Sequence, residues 1–354
     1  MPISSSDYPT LPALLARFER ESRGMRLCAQ DAAELAAWRS ELRARLRAII
    51  GIDTMRAYPL DPQEDAPERC DGYVQTRVVI AVEPDVRMPL YVLTPADLRP
   101  DERRPVVLAP HGHASAGKAA IVGRADVPEL VQTIAQHNYA YGVQLVRAGF
   151  IVLCPDARGF GERREPVAMA DGDLLGGSCQ VLNNMALPLG QTVTGMWTWD
   201  LMRLIDYVTT RADCDATLIG CAGLSGGGAQ TLWLAALDER VRCTVISGYF
   251  YGYKDSLLRL STNCSCNYVP GLWQIADMGD IGALIAPRPL LIETGRHDDL
   301  NGERGVVNVT EQLAIVRQAY ALLDADDRLA HTVFEGGHRW DGADALPWLA
   351  RWLQ

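Results

Sequence analysis

The most informative segment of the 354-residue chain is Leu218-Ile219-Gly220-Cys221-Ala222-Gly223-Leu224-Ser225-Gly226-Gly227. A short apolar run leads directly into the pattern G-x-S-x-G, and a helical pattern of apolar residues follows up to Leu237. Glycines around the serine allow a sharp strand-to-helix turn, which exposes the serine hydroxyl at the end of a sheet. The segment therefore predicts a buried strand, a strained turn and a helix, with Ser225 as the candidate nucleophile.

Apolar runs of the same kind recur on both sides of this segment and alternate with helical patterns. They are 105–110, 150–155, 217–224, 243–247, 289–294 and 331–334. Such runs are typical of strands that are buried on both faces of a parallel sheet. Before them, residues 74–82 and 88–92 alternate apolar and polar around a Pro84-Asp85 turn, which predicts an antiparallel hairpin. The fold class expected is α/β, with a mostly parallel, doubly wound sheet.

The first part of the chain has a different pattern and predicts a helical extension. Asp31 and Glu34 have the spacing of a capping box, apolar residues then recur at helical spacing, and Gly51 is a plausible stop. Residues 56–72, rich in Pro, Asp and Glu, indicate a linker. We therefore divide the chain into a helical N-terminal extension, 1–65, and a catalytic domain, 66–354. Loop insertions at 160–190 and 251–285 have weak periodicity, and both are expected to overhang the site.

Charge and hydropathy exclude two classes of partner. The chain has 34 Lys and Arg against 44 Asp and Glu, so its formal net charge is −10, which does not suit a nucleic-acid binder. No apolar run approaches the roughly 18 residues that a membrane span needs. The first 25 residues also lack the apolar region of a secretory signal, so a cytoplasmic protein is expected.

A serine hydroxyl needs a base, and the base needs a carboxylate. His338 follows the last apolar run within Gly336-Gly337-His338, and Asp298 follows the preceding run within Gly295-Arg296-His297-Asp298. The order Ser225, Asp298, His338 is the order in which α/β-hydrolases carry their triad. Asp299 is an open alternative for the acid, while Glu293 lies inside the predicted strand and suits the role less well.

Two backbone N–H groups are expected to stabilise the oxyanion, those of Gly226 and His113. The latter belongs to His111-Gly112-His113, and this H-x-H spacing also suggests a zinc site. We expect no metal, because neither this motif nor Cys264-Ser265-Cys266 has a further ligand nearby in the sequence, and we therefore expect activity to be insensitive to chelators. The cysteines are expected to be free thiols, with a disulfide from Cys179 to Cys264 or Cys266 as the alternative.

Taken together these motifs resemble α/β-hydrolases of the dienelactone hydrolase and acetyl xylan esterase-like group. The resemblance covers about residues 70–354. The matching pieces are 110–113, 155–163, 223–227, 286–291, 295–298 and 336–338. Residues 263–271 also resemble a segment of bacterial acetyl xylan esterase-like members. Dienelactone hydrolases have a cysteine nucleophile, so Ser225 favours the esterase branch. In the resembling segment, Arg158 and Glu162 are interpreted as structural support.

The resemblance implies the α/β-hydrolase fold and a cofactor-free serine esterase acting on a small or medium acyl ester, with an acetylated carbohydrate as one candidate. Substrate contacts are expected from Tyr251, Tyr253, Trp273 and Trp340. A C–C bond hydrolase or peptidase with the same triad stays open as the alternative, as does a non-catalytic binding module. The expected partner is a small-molecule ester, with no nucleic acid or membrane, and a homo-oligomer is left open.

Overall fold

The computed structural model describes residues 9–168, 173–258 and 263–354, and these residues form a ten-stranded sheet flanked by helices. The strands are β1 (Gln63–Glu64), β2 (Glu68–Cys70), β3 (Tyr73–Glu83), β4 (Val86–Pro95), β5 (Arg104–Leu108), β6 (Ile151–Pro155), β7 (Cys214–Leu224), β8 (Val241–Ser247), β9 (Leu290–Gly295) and β10 (Leu329–Phe334). Their spatial order is β1-β3-β4-β6-β5-β7-β8-β9-β10, with β2 beside β3. Strands β5 to β10 are parallel, and the β3–β4 hairpin joins β6 antiparallel. The predicted fold class is confirmed.

Helices cover both faces of the sheet. They are α1 (Leu11–Arg20), α2 (Ala32–Ile50), α3 (Lys118–Ile121), α4 (Pro128–His137), α5 (Tyr141–Arg147), α6 (Cys179–Ala186), α7 (Val193–Thr210), α8 (Gly226–Leu237), α9 (Leu272–Ile275), α10 (Met278–Ala283), α11 (Val306–Ala321) and α12 (Ala345–Leu353). Successive strand residues point to opposite faces, so Val106 and Leu108 join one core and Val107 joins the other. This explains why the central strands are continuous apolar runs.

The N-terminal helix α2 belongs to the larger core. Asp31 caps it by accepting from the backbone N–H groups of Ala33 and Glu34, and Gly51 ends it with a positive φ of 81°. Its buried leucines pack with the sheet and with α7 and α8. Interpreting residues 56–72 as a plain linker was wrong, because β1 and β2 lie there and pair with β3. Two-residue and three-residue edge strands with charged side chains leave no alternation to detect.

The two predicted insertions contain short helices. Residues 169–172 and 259–262 lie outside the described residues. Around them, α6 and the 3₁₀ turn Leu187–Leu189 occupy the first insertion, whereas α9 and α10 occupy the second. Both insertions follow strands, β6 and β8, and therefore begin at the carboxyl edge of the sheet. Among the described residues, no helix is both long and apolar enough to cross a membrane.

Candidate active site

Ser225 lies at a sharp turn between β7 and α8. Its backbone has φ 61° and ψ −122°, a conformation that costs a non-glycine residue of order 1–3 kcal/mol. The surroundings hold it there, because its N–H donates to the carbonyl of Ser247 at 2.9 Å and its carbonyl accepts from the N–H of Ala229 at 2.9 Å. The hydroxyl is thus placed at the carboxyl end of the sheet and at the N-terminus of a helix.

The glycines around Ser225 are required by close backbone contacts. A Cβ at Gly223 would lie 2.5 Å from the carbonyl of Gly227, and a Cβ at Gly227 would lie 2.1 Å from the carbonyl oxygen of Pro110. A side chain at Gly226 would meet the ring of His113 at 2.8 Å. Side chains at Gly223 and Gly227 would therefore collide with backbone atoms, whereas a side chain at Gly226 would require the ring of His113 to shift.

His338 and Asp298 form a hydrogen-bonded pair at the same edge of the sheet. Nδ1–H of His338 donates to Oδ2 of Asp298 at 2.7 Å, and the other carboxylate oxygen accepts from the N–H of Leu300 at 2.9 Å. Asp298 is buried, whereas the alternative, Asp299, is exposed. The structure thus brings Asp298, and not Asp299, to the histidine.

The imidazole of His338 is held close to the serine turn. Its ring lies against Gly248, where a Cβ would be 3.1 Å from Cε1. Gly248 directly follows Ser247, the residue that accepts from the N–H of Ser225. With Nδ1 occupied by Asp298, Nε2 is the nitrogen that can accept a proton.

The expected oxyanion donors lie together. Gly226 begins α8, where backbone N–H groups have no partner within the helix. The loop of His113 is tied to the same helix, because Nε2 of Gln230 donates to the carbonyls of His111 and Gly226 at 3.0 and 3.1 Å. In addition, the hydroxyl of Tyr139 donates to the carbonyl of His113 at 2.6 Å.

A cavity of about 260 Å³ opens at Ser225. It is lined by His113, Ser225, Gly226, Tyr249, Tyr251, Asn263, Cys264, Asn267 and Leu300. Of the four expected substrate contacts, only Tyr251 is in this lining. Tyr253 and Trp273 instead line a neighbouring cleft of about 780 Å³, which shares Asn263 and Asn267 with the cavity.

The expectation that Trp340 contacts substrate was wrong. Its side chain is fully buried and stacks on Tyr141 with the ring centroids 4.8 Å apart. Its indole N–H donates to Oε1 of Gln144 at 3.2 Å. Trp340 is therefore a core residue that anchors the loop carrying His338.

His113, Cys179, Cys264 and Cys266 converge beside the cavity. Their ligand atoms all lie within 4.8 Å of one another. No further ligand lies near the H-x-H or the C-x-C in the sequence, but the fold brings candidate ligands together in space. His113 of the H-x-H meets both cysteines of the C-x-C and Cys179. His111 takes no part: it is buried, and its Nε2 accepts from the N–H of Ala157 at 3.0 Å.

The three thiols of this cluster influence one another. Hydrogen bonds from Cys179 and Cys266 hold the pKa of the Cys264 thiol well below its usual range. Burial raises the pKa of the Cys266 thiol.

Arg158 and Glu162 have the supporting position expected of them. Arg158 donates to Glu83 at 2.6 Å and to Asp200 at 2.7 Å. Glu162 pairs with Lys118 and with Arg77. Both networks tie the segment after β6 to its neighbours, and neither side chain lines the cavity at Ser225.

The comparison of sequences gives the family. Residues 25–329 match a sequence model of the abhydrolase family. The chain belongs to the abhydrolase family. The match begins before α2, so this helix is part of the family pattern rather than an addition to it. The α/β-hydrolase resemblance is confirmed.

Similar proteins agree with this assignment. Putative hydrolase YtaP of Bacillus subtilis is 27% identical over 315 residues, which cover 87% of this chain and 94% of the relative. Among solved structures, a putative acetyl xylan esterase from Bacteroides fragilis has a TM-score of 0.74 at 18% identity. The match covers 94% of this chain and 84% of the Bacteroides chain. A glucuronoyl esterase from Solibacter usitatus has a TM-score of 0.69 at 16% identity. The match covers 94% of this chain and 98% of the Solibacter chain. The two solved structures share the fold of this abhydrolase.

Proposed function

We propose that this abhydrolase is a serine carboxylic-ester hydrolase. The observation that carries the proposal is the position of the hydrogen-bonded pair of His338 and Asp298 beside the strained turn of Ser225. The ring of His338 lies against Gly248, which follows Ser247, the residue that accepts from the N–H of Ser225. A serine at such a turn, beside a histidine oriented by a buried carboxylate, is the arrangement that activates a hydroxyl for acyl transfer.

The mechanism follows from this arrangement. Ser225 Oγ attacks the ester carbonyl carbon while Nε2 of His338 takes the hydroxyl proton, and the Asp298 carboxylate stabilises the imidazolium. The N–H groups of Gly226 and His113 donate to the oxyanion. Collapse of the intermediate breaks the bond to the alcohol, which leaves with the proton from His338. Water then attacks the acyl-enzyme by the same route and releases the carboxylic acid.

The cavity favours a small, neutral acyl group. Its described lining residues include no lysine or arginine, and a volume of about 260 Å³ suits an acyl chain of few carbons. An acid-bearing acyl group would be expected to have a cationic partner. Acetyl and similar groups are therefore the proposed acyl moieties.

The neighbouring cleft suits the alcohol part of the substrate. Aromatic rings of Tyr253, Tyr268 and Trp273 line it, together with several side-chain amides. Apolar faces flanked by hydrogen-bonding amides match the surface of a sugar. Acetyl xylan esterase is also the name of one of the similar structures. An acetylated carbohydrate is thus the substrate class proposed.

The test uses Ser225→Ala with p-nitrophenyl acetate and a serine-directed phosphonate. Loss of the nucleophile is expected to lower kcat by several orders of magnitude while thermal unfolding stays unchanged. The exposed Ser40→Ala is the matched control and is expected to behave like the unmodified enzyme. A phosphonate adduct on another serine, or full turnover by Ser225→Ala, would overturn the proposal.

A further inference from the structure

We propose that His113, Cys179, Cys264 and Cys266 form a zinc-binding site in the wall of the cavity at Ser225. Tetrahedral zinc with bonds of about 2.3 Å to sulfur and 2.0 Å to nitrogen separates a sulfur from a nitrogen ligand by about 3.5 Å. Nε2 of His113 lies 3.4 Å from Sγ of Cys266, and all four ligand atoms lie within 4.8 Å of one another. Small side-chain adjustments are therefore enough to close the site around one ion.

The four ligands come from three separate parts of the chain. His113 follows β5, Cys179 begins α6, and Cys264 and Cys266 lie on either side of Ser265 at the start of a 3₁₀ turn. A metal bound here would cross-link both loop insertions to the loop that carries the expected oxyanion donor.

The surroundings hold the ligands in place. The rings of Phe160 and Trp197 pack edge-on against His113, with centroids 5.1 and 6.2 Å away. This orientation directs Nε2 toward Cys266 and Nδ1 toward Gly226. The two aromatic rings therefore restrict the ring plane of His113.

Polar side chains also fix the turn that carries two of the cysteines. Nδ2 of Asn183 donates to the carbonyl of Ser265 at 3.1 Å, and Thr194 donates to the carbonyl of Cys266 at 2.5 Å. Nδ2 of Asn267 donates to Sγ of Cys266 at 3.7 Å and to the carbonyl of Cys264 at 3.1 Å. An N–H group directed at a cysteine sulfur stabilises the thiolate that a metal requires.

The donor set selects zinc and a structural role. Three thiolates and one neutral imidazole are soft ligands in a number that fills a tetrahedral shell, which leaves no position for water or substrate. Binding displaces up to three thiol protons and leaves the complex with one net negative charge. The ion would therefore position His113 and the cavity wall, and it takes no part in the bond-breaking steps.

The experiment measures metal rather than activity. The reduced chain is purified, its zinc content is determined, and the metal-free protein is titrated with zinc against a chromophoric chelator and separately with Co²⁺. We expect one zinc per chain, a Co²⁺ spectrum with sulfur-to-metal charge transfer, and three fewer thiols reactive toward a thiol reagent after zinc is added. The exposed Cys28→Ala and the half-buried Cys70→Ala are matched controls and are expected to bind zinc normally.

Variants of the four ligands test whether these side chains hold the ion. Cys264→Ala and Cys179→Ala are each expected to weaken zinc binding by more than about 100-fold, since removal of supporting groups alone costs 10- to 100-fold. Ser225→Ala is expected to bind zinc like the unmodified chain, so failure of the proposed hydrolysis and failure of the metal site are distinguishable. Three results would overturn the proposal. The first is equal zinc binding by Cys264→Ala and the unmodified chain, and the second is the absence of a Co²⁺–thiolate spectrum. The third is a disulfide within the cluster that persists under reducing conditions.

Discussion

At the scale of single residues, one turn decides which carboxylate serves His338. Asp298 and Asp299 both follow β9 closely, and their spacing in the sequence does not separate them. Asp298 has an extended backbone and accepts from the N–H of Leu300, so its carboxylate stays directed inward. Asp299 begins the next 3₁₀ turn, which carries its side chain outward. The local turn therefore distinguishes two chemically identical neighbours.

We expect Asp298→Asn to lower kcat by roughly 10³–10⁴-fold with little change in KM. An amide that donates toward Nδ1 would favour the tautomer with its proton on Nε2, and that nitrogen could not accept the proton of Ser225. The matched variant is Asp299→Asn, for which turnover of p-nitrophenyl acetate should stay within about twofold. Reversed effects of the two variants would show that the loop delivers Asp299.

At the scale of elements, the sequence predicts the features whose signals are local. The strand bearing Ser225 and its turn are adjacent in the chain, and each parallel strand is marked by its own apolar run. The grouping of Cys179 with Cys264 and Cys266 is different, because it depends on the paths of two insertions with weak periodicity. Long-range contacts between irregular segments leave no spacing to detect, although the C-x-C was a visible signal.

The 3₁₀ turn Asp299–Asn301 offers a test of the acyl cavity. Leu300 lies on this turn and lines the cavity, and its backbone N–H donates to Asp298. We expect Leu300→Ala to raise the ratio of kcat/KM for butyryl over acetyl p-nitrophenyl esters by about tenfold, because each accommodated methylene contributes roughly 1–3 kcal/mol. Trp273→Ala, in the neighbouring cleft, should leave this ratio unchanged. An unchanged ratio for Leu300→Ala would place the acyl group elsewhere.

At the scale of the whole molecule, the pH dependence of stability includes a buried carboxyl in β9. Glu293 lies inside the sheet, and one of its oxygens accepts from the N–H of Gly342 at 3.1 Å. Burial raises the pKa of Glu293 from 4.5 to about 7. The folded state thus retains a proton that the unfolded state releases. The stabilisation from this proton is complete below pH 4.5 and is lost as the pH rises through about 7.

We expect Glu293→Gln to remove this pH dependence, because glutamine keeps an acceptor for Gly342 and carries no charge at any pH. A shift of this size corresponds to on the order of 3 kcal/mol, so the variant should unfold at a higher temperature than the unmodified chain at pH 8 and at nearly the same temperature at pH 4.5. Thermal unfolding followed by circular dichroism across this range measures the difference. Glu41→Gln, on the exposed face of α2, is the control and should change Tm equally little at both pH values. A Tm difference between Glu293→Gln and the unmodified chain that does not grow with pH would show that Glu293 is already ionised in the folded protein.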